Sequence, residues 1–154
     1  MTPATTYSLK FSVAKEQAKL KGIEEWLGYK PNVFTFSLPS GHACPFALDC
    51  LSKANKDTGQ ITDGKQTLYR CFSATTEAYS KHARDQRWHN FDILRHLDYK
   101  SMVQALNDSL PSKCDICRVH VGGDFFNQRY FEAWLEVARL NPSTTFYAYT
   151  KSIP

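Results

Sequence analysis

The 154-residue sequence contains no apolar run that approaches the roughly 18 residues needed for a membrane-spanning helix. Its start has no basic region followed by an apolar stretch, so we expect no secretory signal, no membrane partner and a cytoplasmic protein. It also has no block of basic residues, because 19 basic and 15 acidic residues are scattered along the chain and leave a net charge of +4. We therefore expect no nucleic-acid partner.

Low hydrophobicity, the mark of a disordered chain, is absent as well. The composition of 42% hydrophobic and 14% aromatic residues is typical of a folded protein. A chain of this length can bury a sizeable core without disulfide bonds. We predict one domain over residues 1–154, with an N-terminal arm or helix over 1–30 and a core of βα units over 31–154.

The predicted strands are not separated by the tight-turn dipeptides typical of β-hairpins. Alternation and β-branched or aromatic residues predict four strands, at Val33–Leu38, Gln66–Cys71, Ile116–Val121 and Thr144–Thr150. Helical spacing and capping residues predict helices over Thr75–Leu97 with a break around Trp88, from Ser101 to Pro111, and after Asn127.

Strands that alternate with helices imply parallel βα units with right-handed crossovers. A complete barrel of eight such units needs about 250 residues, which this chain does not have. The predicted fold is therefore α/β, with about four parallel βα units that form a half or truncated TIM-barrel-like sheet.

Five cysteines make an odd number, and without a secretory signal this favours metal binding or catalysis over disulfides. Cys44 and Cys50 follow the first predicted strand in a loop rich in glycine and proline, and Cys71 ends the second. Because the carboxyl ends of parallel strands meet at one edge of a sheet, we expect these three thiols to lie together.

Three thiolates fit a [4Fe-4S] cluster with one open iron better than structural zinc, which takes four protein ligands. Zinc with His42 as the fourth ligand is the main alternative, and three unligated core thiols are another. The candidates for the open position of a cluster are His42, Asp49, His89 and Asp124.

Cys114 and Cys117 form a C-x-x-C motif, which is ordinarily a stronger metal signal. They precede the third predicted strand, and about five residues at 3.3 Å each place Cys117 some 15 Å from the carboxyl edge. We therefore leave them out of the cluster, as a reduced pair at the base of the sheet or a separate redox or metal site.

Gly122, Gly123 and Asp124 end the third strand and are candidate cofactor-binding residues, since glycine lets backbone N–H groups approach a ligand closely. A simple strand-to-helix turn explains the glycines equally well. His120 is more typical of a hydrogen-bonded core histidine than of a ligand. Lys151 is either a solvated lysine or a group that attracts an anion or neutralises cluster charge.

Five blocks resemble a bacteriophage family known as gene product eighty-eight, from about residue 36 to the end of the chain. They are Leu38–Pro45 with Cys50–Ala54, Arg70–Ala74, Arg87–Asp92, Val119–Gln128 and Phe146–Lys151. The resemblance implies a shortened member of that family. A more distant resemblance, through Gly122–Asp124, is to radical S-adenosylmethionine enzymes, although the cysteine spacing here differs from their C-x-x-x-C-x-x-C motif.

These features predict an iron–sulfur protein that holds a [4Fe-4S] cluster on Cys44, Cys50 and Cys71, with an electron-transfer or redox role in the cytoplasm of an infected host cell. The alternatives are a radical-SAM-like enzyme that uses the open iron and binds S-adenosylmethionine, and a zinc-stabilised interaction module. No catalytic residue or substrate can be identified. The expected partners are a redox partner or host protein, or a second copy in a homo-oligomer.

Overall fold

The computed structural model describes residues 5–14, 20–65 and 67–152. These ranges contain eleven helices and strands in the order β1 (Phe11–Val13), α1 (Ile23–Leu27), β2 (Val33–Phe36), β3 (Lys53–Ala54), β4 (Ile61–Thr62), α2 (Phe72–Tyr79), α3 (Lys81–Leu94), α4 (Tyr99–Ser109), β5 (Ile116–Val119), α5 (Gln128–Leu140) and β6 (Thr145–Ala148). No helix within these ranges is long and apolar enough to cross a membrane.

The main sheet has four strands in the order β1-β2-β5-β6. β2, β5 and β6 run parallel, with Thr35 opposite Arg118 and Arg118 opposite Tyr147. β1 is antiparallel to β2, and Phe11 lies opposite Phe36. The carboxyl ends of the three parallel strands therefore meet at one edge, and the loops that follow them form one rim.

The prediction of four parallel βα units in a half or truncated TIM barrel is wrong. The sheet has three parallel strands and an antiparallel edge strand, and it shows no barrel-like closure among the described residues. Residues 67–71 form no strand, because this segment lies at the surface with Leu68 79% exposed, and Gln66 lies outside the described residues. β3 and β4 instead pair as a separate hairpin.

The N-terminal segment, for which we expected an arm or helix, contributes β1 and the short helix α1. Aromatic packing holds β1 against the sheet, because the Phe11 ring centroid lies 4.9 Å from that of Phe36 and 6.4 Å from that of Trp134 on α5. Residues 1–4 and 15–19 of the predicted arm or helix lie outside the described residues.

One face of the sheet carries the core. Phe36, Cys117 and Val119 are buried there with Met102 of α4 and Trp134 of α5. Residues opposite one another in the register share a face, so Thr35, Arg118 and Tyr147 lie on the other face. The sheet therefore has an apolar face against the core and an opposite face that carries Arg118 and Tyr147.

Capping residues set the helix boundaries. Asn127 caps α5 as predicted, since its Oδ1 accepts from Tyr130 N at 2.8 Å. Asp98, rather than Ser101, caps α4. The predicted break around Trp88 is wrong, because α3 runs without a break from Lys81 to Leu94 and the chain is instead interrupted at Ser80, which caps α3. Residues 44–50 form successive turns, in agreement with the loop rich in glycine and proline that was predicted to follow the first strand.

Candidate functional site

A pocket of about 270 Å³ lies at the carboxyl edge of the parallel strands. Its walls come from the loop after β2, the start of α2, the loop after β5 and the segment after β6. The side chains of Cys44, Cys50, Cys71, Arg118 and Lys151 all line it. The segments that sequence analysis placed at one rim therefore do surround a common space.

The three cysteines occupy different surroundings within this pocket. Cys50 is buried, whereas Cys44 and Cys71 are partly exposed. The Cys44 thiol accepts a hydrogen bond from Gly41 N at 3.4 Å. The Cys50 side chain interacts with that of Cys71, which is one of the groups that raise the pKa of Cys50. The site therefore contains an interacting pair of thiols beside a third thiol that has its own backbone donor.

Both thiols of the cysteine loop are poor acids. Burial raises the pKa of Cys44 to about 12, although the Gly41 amide acts in the opposite direction. Burial also raises the pKa of Cys50, against the lowering effects of the Ser52 amide and of Lys151. At neutral pH these two side chains are neutral thiols.

The iron–sulfur prediction is wrong on this geometry. Across residues 5–14, 20–65 and 67–152, no group of three or more His, Cys, Asp or Glu side chains is arranged to hold a metal ion. The Cys44 thiol is occupied by a backbone amide, and burial raises the pKa of Cys44 and of Cys50, which disfavours the thiolates that a cluster requires. The [4Fe-4S] protein, the radical-SAM-like enzyme and the zinc module are therefore all withdrawn as functions.

The other candidate ligands have different partners. His42 Nε2 is hydrogen-bonded to Ala54 O at 3.0 Å, and its ring packs on Trp88 at 4.7 Å between centroids. His89 Nε2 is hydrogen-bonded to Ser8 O at 2.7 Å. Neither histidine lines the pocket, and neither does Asp49. The two histidines instead hydrogen-bond to backbone carbonyls, and His42 also packs against Trp88.

Gly122 and Gly123 are required by close packing. A Cβ on Gly122 would lie 2.3 Å from Ser73 Oγ, and one on Gly123 would lie 2.6 Å from Leu38 Cβ. Gly123 also has a φ of +78°, which L side chains rarely adopt. Both line the pocket, and their role in binding a cofactor such as S-adenosylmethionine stays a prediction.

Asp124 is buried and joins the loop after β5 to the segment after β6. Its Oδ1 accepts from Phe125 N and from Thr150 Oγ1, each at 2.7 Å, and its Oδ2 accepts from Lys151 N at 2.8 Å. These three bonds satisfy both carboxylate oxygens. They also fix the backbone of Lys151 at the pocket.

Two cations face the pocket. The Arg118 guanidinium lies over the Tyr149 ring at 5.5 Å from its centroid, and its Nε is buried with no hydrogen-bond partner among the described residues. Lys151 Nζ donates to the Tyr69 hydroxyl and lies 4.2 Å from the centroid of that ring. Burial lowers the pKa of Lys151, but the Tyr69 hydrogen bond and the nearby thiols of Cys50 and Cys71 raise it overall.

His120 is 3% exposed, and its Nε2 is hydrogen-bonded to the Tyr130 hydroxyl at 2.8 Å. This is the core histidine that sequence analysis favoured, although it also lines the pocket. Its Nδ1 is buried and has no partner in the described part of the chain. Burial lowers the pKa of His120 to about 4, against the raising effect of Asp124, so the ring is neutral at pH 7.

Sequence analysis missed a buried charged network beneath the cysteine loop. Glu77 Oε1 and Oε2 accept from Ser40 N at 3.0 and 3.1 Å, and Oε1 lies 3.2 Å from Arg87 Nη1. Arg87 Nη1 also donates to Ser73 Oγ at 2.7 Å. A usable signal was the helical spacing of Arg84, Arg87 and Phe91, which places two arginines on the stripe that faces the core.

Cys114 and Cys117 lie before and within β5 and do not line the pocket. Both are buried, and the Cys114 thiol donates to Ile116 O at 3.4 Å. Interaction with the Cys114 side chain, followed by burial, raises the pKa of Cys117 far above its ordinary value. They form a second thiol pair, inside the core and apart from the pocket.

The sequence of this chain matches a family of phage proteins. The family model described as Gene product 88 matches residues 7–154. The Gene 88 protein of Mycobacterium phage L5 is 32% identical over 128 residues, which cover 76% of this chain and 47% of that protein. The Gene 88 protein of Mycobacterium phage D29 is 30% identical over 128 residues, with the same coverage.

This chain thus spans about half the length of the curated relatives it matches. No solved structure matches it. The resemblance to radical S-adenosylmethionine enzymes is not shown by any of these matches, which are to phage proteins. The match over residues 7–154 shows that the chain belongs to the Gene product 88 family of bacteriophage proteins.

Proposed function

We propose that the pocket at the carboxyl ends of β2, β5 and β6 binds a small anionic molecule, held by Arg118 and Lys151. Ligands of open α/β sheets bind in the crevice beyond the carboxyl ends of the parallel strands. The pocket occupies that position, and its volume of about 270 Å³ suits a small molecule. The observation that carries the proposal is that this pocket holds two cations, neither of which is paired with a carboxylate of the described residues.

The charge around the pocket supports an anion. No carboxylate among the described residues forms an ion pair with Arg118 or Lys151. Asp124 is the buried carboxylate of the pocket, and its oxygens already accept three hydrogen bonds. Cys44 and Cys50 add no negative charge at neutral pH, because their pKa values are raised. The two cations are therefore available to a ligand.

Two buried polar atoms also need partners. Arg118 Nε and His120 Nδ1 make no hydrogen bond within the described residues, and each belongs to a side chain that lines the pocket. A buried polar group without a partner costs about 1–3 kcal/mol. When the Tyr130 hydroxyl donates to His120 Nε2, the His120 ring carries its proton on Nδ1 and can donate it. An anionic ligand supplies the acceptors that these donors require.

The experiment is a thermal-unfolding titration of the reduced protein with inorganic phosphate and, separately, with malonate. A ligand that binds only the folded state raises Tm by an amount that follows RT ln(1 + [L]/Kd). We expect at least one of the two anions to raise Tm in a saturable way. Arg118→Gln and Lys151→Gln should each raise the Kd of that anion by tenfold or more, which is about 1.4 kcal/mol of binding free energy.

Lys100→Gln is the matched control, because Lys100 is exposed on α4 and does not line the pocket. It removes the same charge and should leave the titration unchanged. The proposal is overturned when neither anion shows saturable stabilisation. It is equally overturned when both pocket variants, Arg118→Gln and Lys151→Gln, respond like the unmodified chain, since the anion then binds elsewhere or acts only as a salt.

We also infer that the protein acts in the cytoplasm of the infected bacterium. This inference is supported by the mycobacteriophage origin of the relatives. Fractionation of infected cells, followed by detection of the protein with an antibody, tests it. Recovery in the cytoplasmic fraction agrees with the inference, and recovery in released virions or in the membrane fraction contradicts it.

A further inference from the structure

We propose that Cys50 and Cys71 form a reversible disulfide by exchange with a disulfide-bearing compound that enters the pocket. This is separate from the anion site, because it uses the thiol pair and not the two cations as ligands. The starting observation is that Cys50 and Cys71 line the same pocket, on two segments that backbone hydrogen bonds hold together. The two side chains also interact, since Cys71 is among the groups that raise the pKa of Cys50.

The backbone holds this pair in place from both sides. Leu68 N donates to Asp49 O at 3.0 Å, which joins the residue before Cys50 to the segment that leads into Cys71. The Thr67 hydroxyl donates to the carbonyl of Cys50 itself. Because these hydrogen bonds hold the two segments together next to Cys50, we expect the Cys50–Cys71 bond to form within the folded chain.

The two sulfurs differ in access, which assigns their roles. Cys71 is partly exposed at the pocket and precedes the first residue of α2, where the helix dipole favours negative charge. Cys50 is buried behind it. Cys71 is therefore the thiol that an incoming disulfide reaches first, and Cys50 is the thiol that completes the exchange.

Lys151 supplies the positive charge that the exchange requires. Its side chain interacts electrostatically with both thiols. The attacking species in thiol–disulfide exchange is the thiolate, so a nearby ammonium stabilises the reactive form of each cysteine in turn. This interaction distinguishes the Cys50–Cys71 pair from the Cys114–Cys117 pair in the core.

The exchange balances as two displacements. The Cys71 thiol gives its proton to solvent, and the thiolate attacks one sulfur of the compound R–S–S–R′. The old S–S bond breaks, R′–S⁻ leaves and takes up a proton, and Cys71 is joined to R–S. Cys50 then loses its proton and attacks the Cys71 sulfur, and R–S⁻ leaves and is protonated. The protein dithiol is oxidised to a disulfide, and R–S–S–R′ is reduced to two thiols.

The other cysteines are less suited to this reaction. Cys114 and Cys117 are 7% and 0% exposed, so a dissolved disulfide cannot reach either sulfur in the folded protein. The Cys44 thiol accepts a hydrogen bond from the Gly41 amide, and burial raises its pKa to about 12, so it forms very little of the reactive thiolate at neutral pH. The structure therefore predicts one oxidised pair out of the several that five cysteines allow.

The test equilibrates the reduced, folded protein with mixtures of oxidised and reduced glutathione, and quenches it with acid. Intact mass and peptide mapping then identify the product. We expect the loss of two hydrogens per chain, with Cys50 linked to Cys71, at a midpoint that depends on the glutathione ratio. Full reversal by excess reduced glutathione is expected as well.

Single variants separate the two roles. Cys50→Ser should accumulate one glutathione on Cys71, because the resolving thiol is missing, while Cys71→Ser should form neither the disulfide nor an adduct on Cys50. Cys44→Ser and the double variant Cys114→Ser/Cys117→Ser are the matched controls, and both should still form the Cys50–Cys71 bond. Circular dichroism confirms that each variant is folded, and the mapping of the unmodified chain is decisive without any variant.

The proposal is overturned when the mapped disulfide involves Cys44, Cys114 or Cys117, or when the folded protein gains only glutathione adducts and no internal disulfide. Because the anion titrations use the reduced protein, their outcome does not depend on this experiment. Failure of one proposal is therefore distinguishable from failure of the other.

Discussion

Arg87 on α3 and Glu77 on α2 form a buried ion pair directly beneath the cysteine loop. Arg87 Nη1 lies 3.2 Å from Glu77 Oε1, with the two side chains 8% and 2% exposed. The Glu77 carboxylate in turn accepts from Ser40 N, just before the loop that carries Cys44. Burial raises the pKa of Glu77, and the Arg87 charge opposes that rise. The position of the loop thus depends on a charge compensated inside the protein.

Arg87→Met should therefore be strongly destabilising. It leaves the Glu77 charge buried without its partner, and such a change typically costs about 3–5 kcal/mol in the free energy of unfolding. The double variant Glu77→Met/Arg87→Met should be more stable than Arg87→Met alone, because no unpaired charge then remains. Urea-induced unfolding followed by circular dichroism measures both.

Lys81→Met is the control for this comparison, because it removes one partner of the exposed Lys81–Asp85 pair. Its effect should be far smaller, since solvent screens that pair. A stability of Arg87→Met within about 1 kcal/mol of the unmodified chain would contradict the assigned role of the buried pair.

The His120 ring should make stability depend on acid pH. Its pKa is lowered from an ordinary value of 6.5 to about 4 in the folded protein. The unfolded state therefore binds the proton more tightly, so the contribution of His120 is fully present above pH 6.5 and is lost as the pH falls toward 4. The expected loss over this range is about 3 kcal/mol.

His120→Asn should flatten this part of the stability profile. Asparagine does not titrate, and it tolerates the backbone φ of 71° found at this position. His96→Asn is the matched control, because His96 is exposed. Urea unfolding at a series of pH values gives the profiles. Equal slopes for His120→Asn and the unmodified chain between pH 6.5 and 4 would refute the assignment.

The strands that the sequence predicted correctly are those with a continuous apolar or β-branched pattern. Val33–Phe36 and Ile116–Val119 lie within their predicted ranges, as does Thr145–Ala148. Residues 67–71 have a similar composition but lie at the surface, and β1 was missed because a three-residue strand carries too little pattern. The short pattern of Phe11–Val13 could not reveal its pairing with β2, which depends on the packing of Phe11 against Phe36 and Trp134.

The position of the site was readable from the sequence, but its chemistry was not. Cys44, Cys50 and Cys71 follow the elements expected to meet at the rim, and they do line one pocket. Which sulfur bonds to which group depends on turn geometry, as the Gly41–Cys44 hydrogen bond shows. Arg118 was overlooked because a charged residue inside a strand pattern gives no indication of the face on which it lies.

Gly123 should tolerate alanine worse than a glycine in open space does. Its φ of +78° alone costs an L residue about 1–2 kcal/mol. An added Cβ would also lie 2.6 Å from Leu38 Cβ and 2.8 Å from Leu38 O. This overpacking should raise the cost in stability by roughly a further 1–3 kcal/mol.

Gly28→Ala separates the two effects. Gly28 has a φ of +75° with no atom within 4 Å of an added Cβ, so it carries the backbone cost alone. We expect the loss of stability, measured by urea unfolding, to be larger for Gly123→Ala than for Gly28→Ala. Equal losses would show that the loop moves away from Leu38 without cost.

Asp124→Asn should reveal how far this residue is a structural tie rather than a binding group. The Asp124 carboxylate accepts from Phe125 N, Thr150 Oγ1 and Lys151 N. An asparagine amide accepts through its oxygen alone, so its NH₂ group must face a backbone N–H donor and one buried donor loses its partner. The expected loss of stability is about 1–3 kcal/mol.

Thr150→Val gives the comparison, because it keeps the Asp124 carboxylate with its donors Phe125 N and Lys151 N and removes only the Thr150 hydroxyl, which donates to Asp124 Oδ1 and accepts from Ser152 N. Its cost should be about 1 kcal/mol, the usual value for one hydrogen bond, because the exposed Ser152 N can bond to water instead. A larger loss for Asp124→Asn than for Thr150→Val means that the carboxylate holds the segment after β6 against the loop after β5, and so places Lys151 at the pocket. An Asp124→Asn variant as stable as the unmodified chain would mean that Lys151 is positioned by other contacts, among them its bond to the Tyr69 hydroxyl.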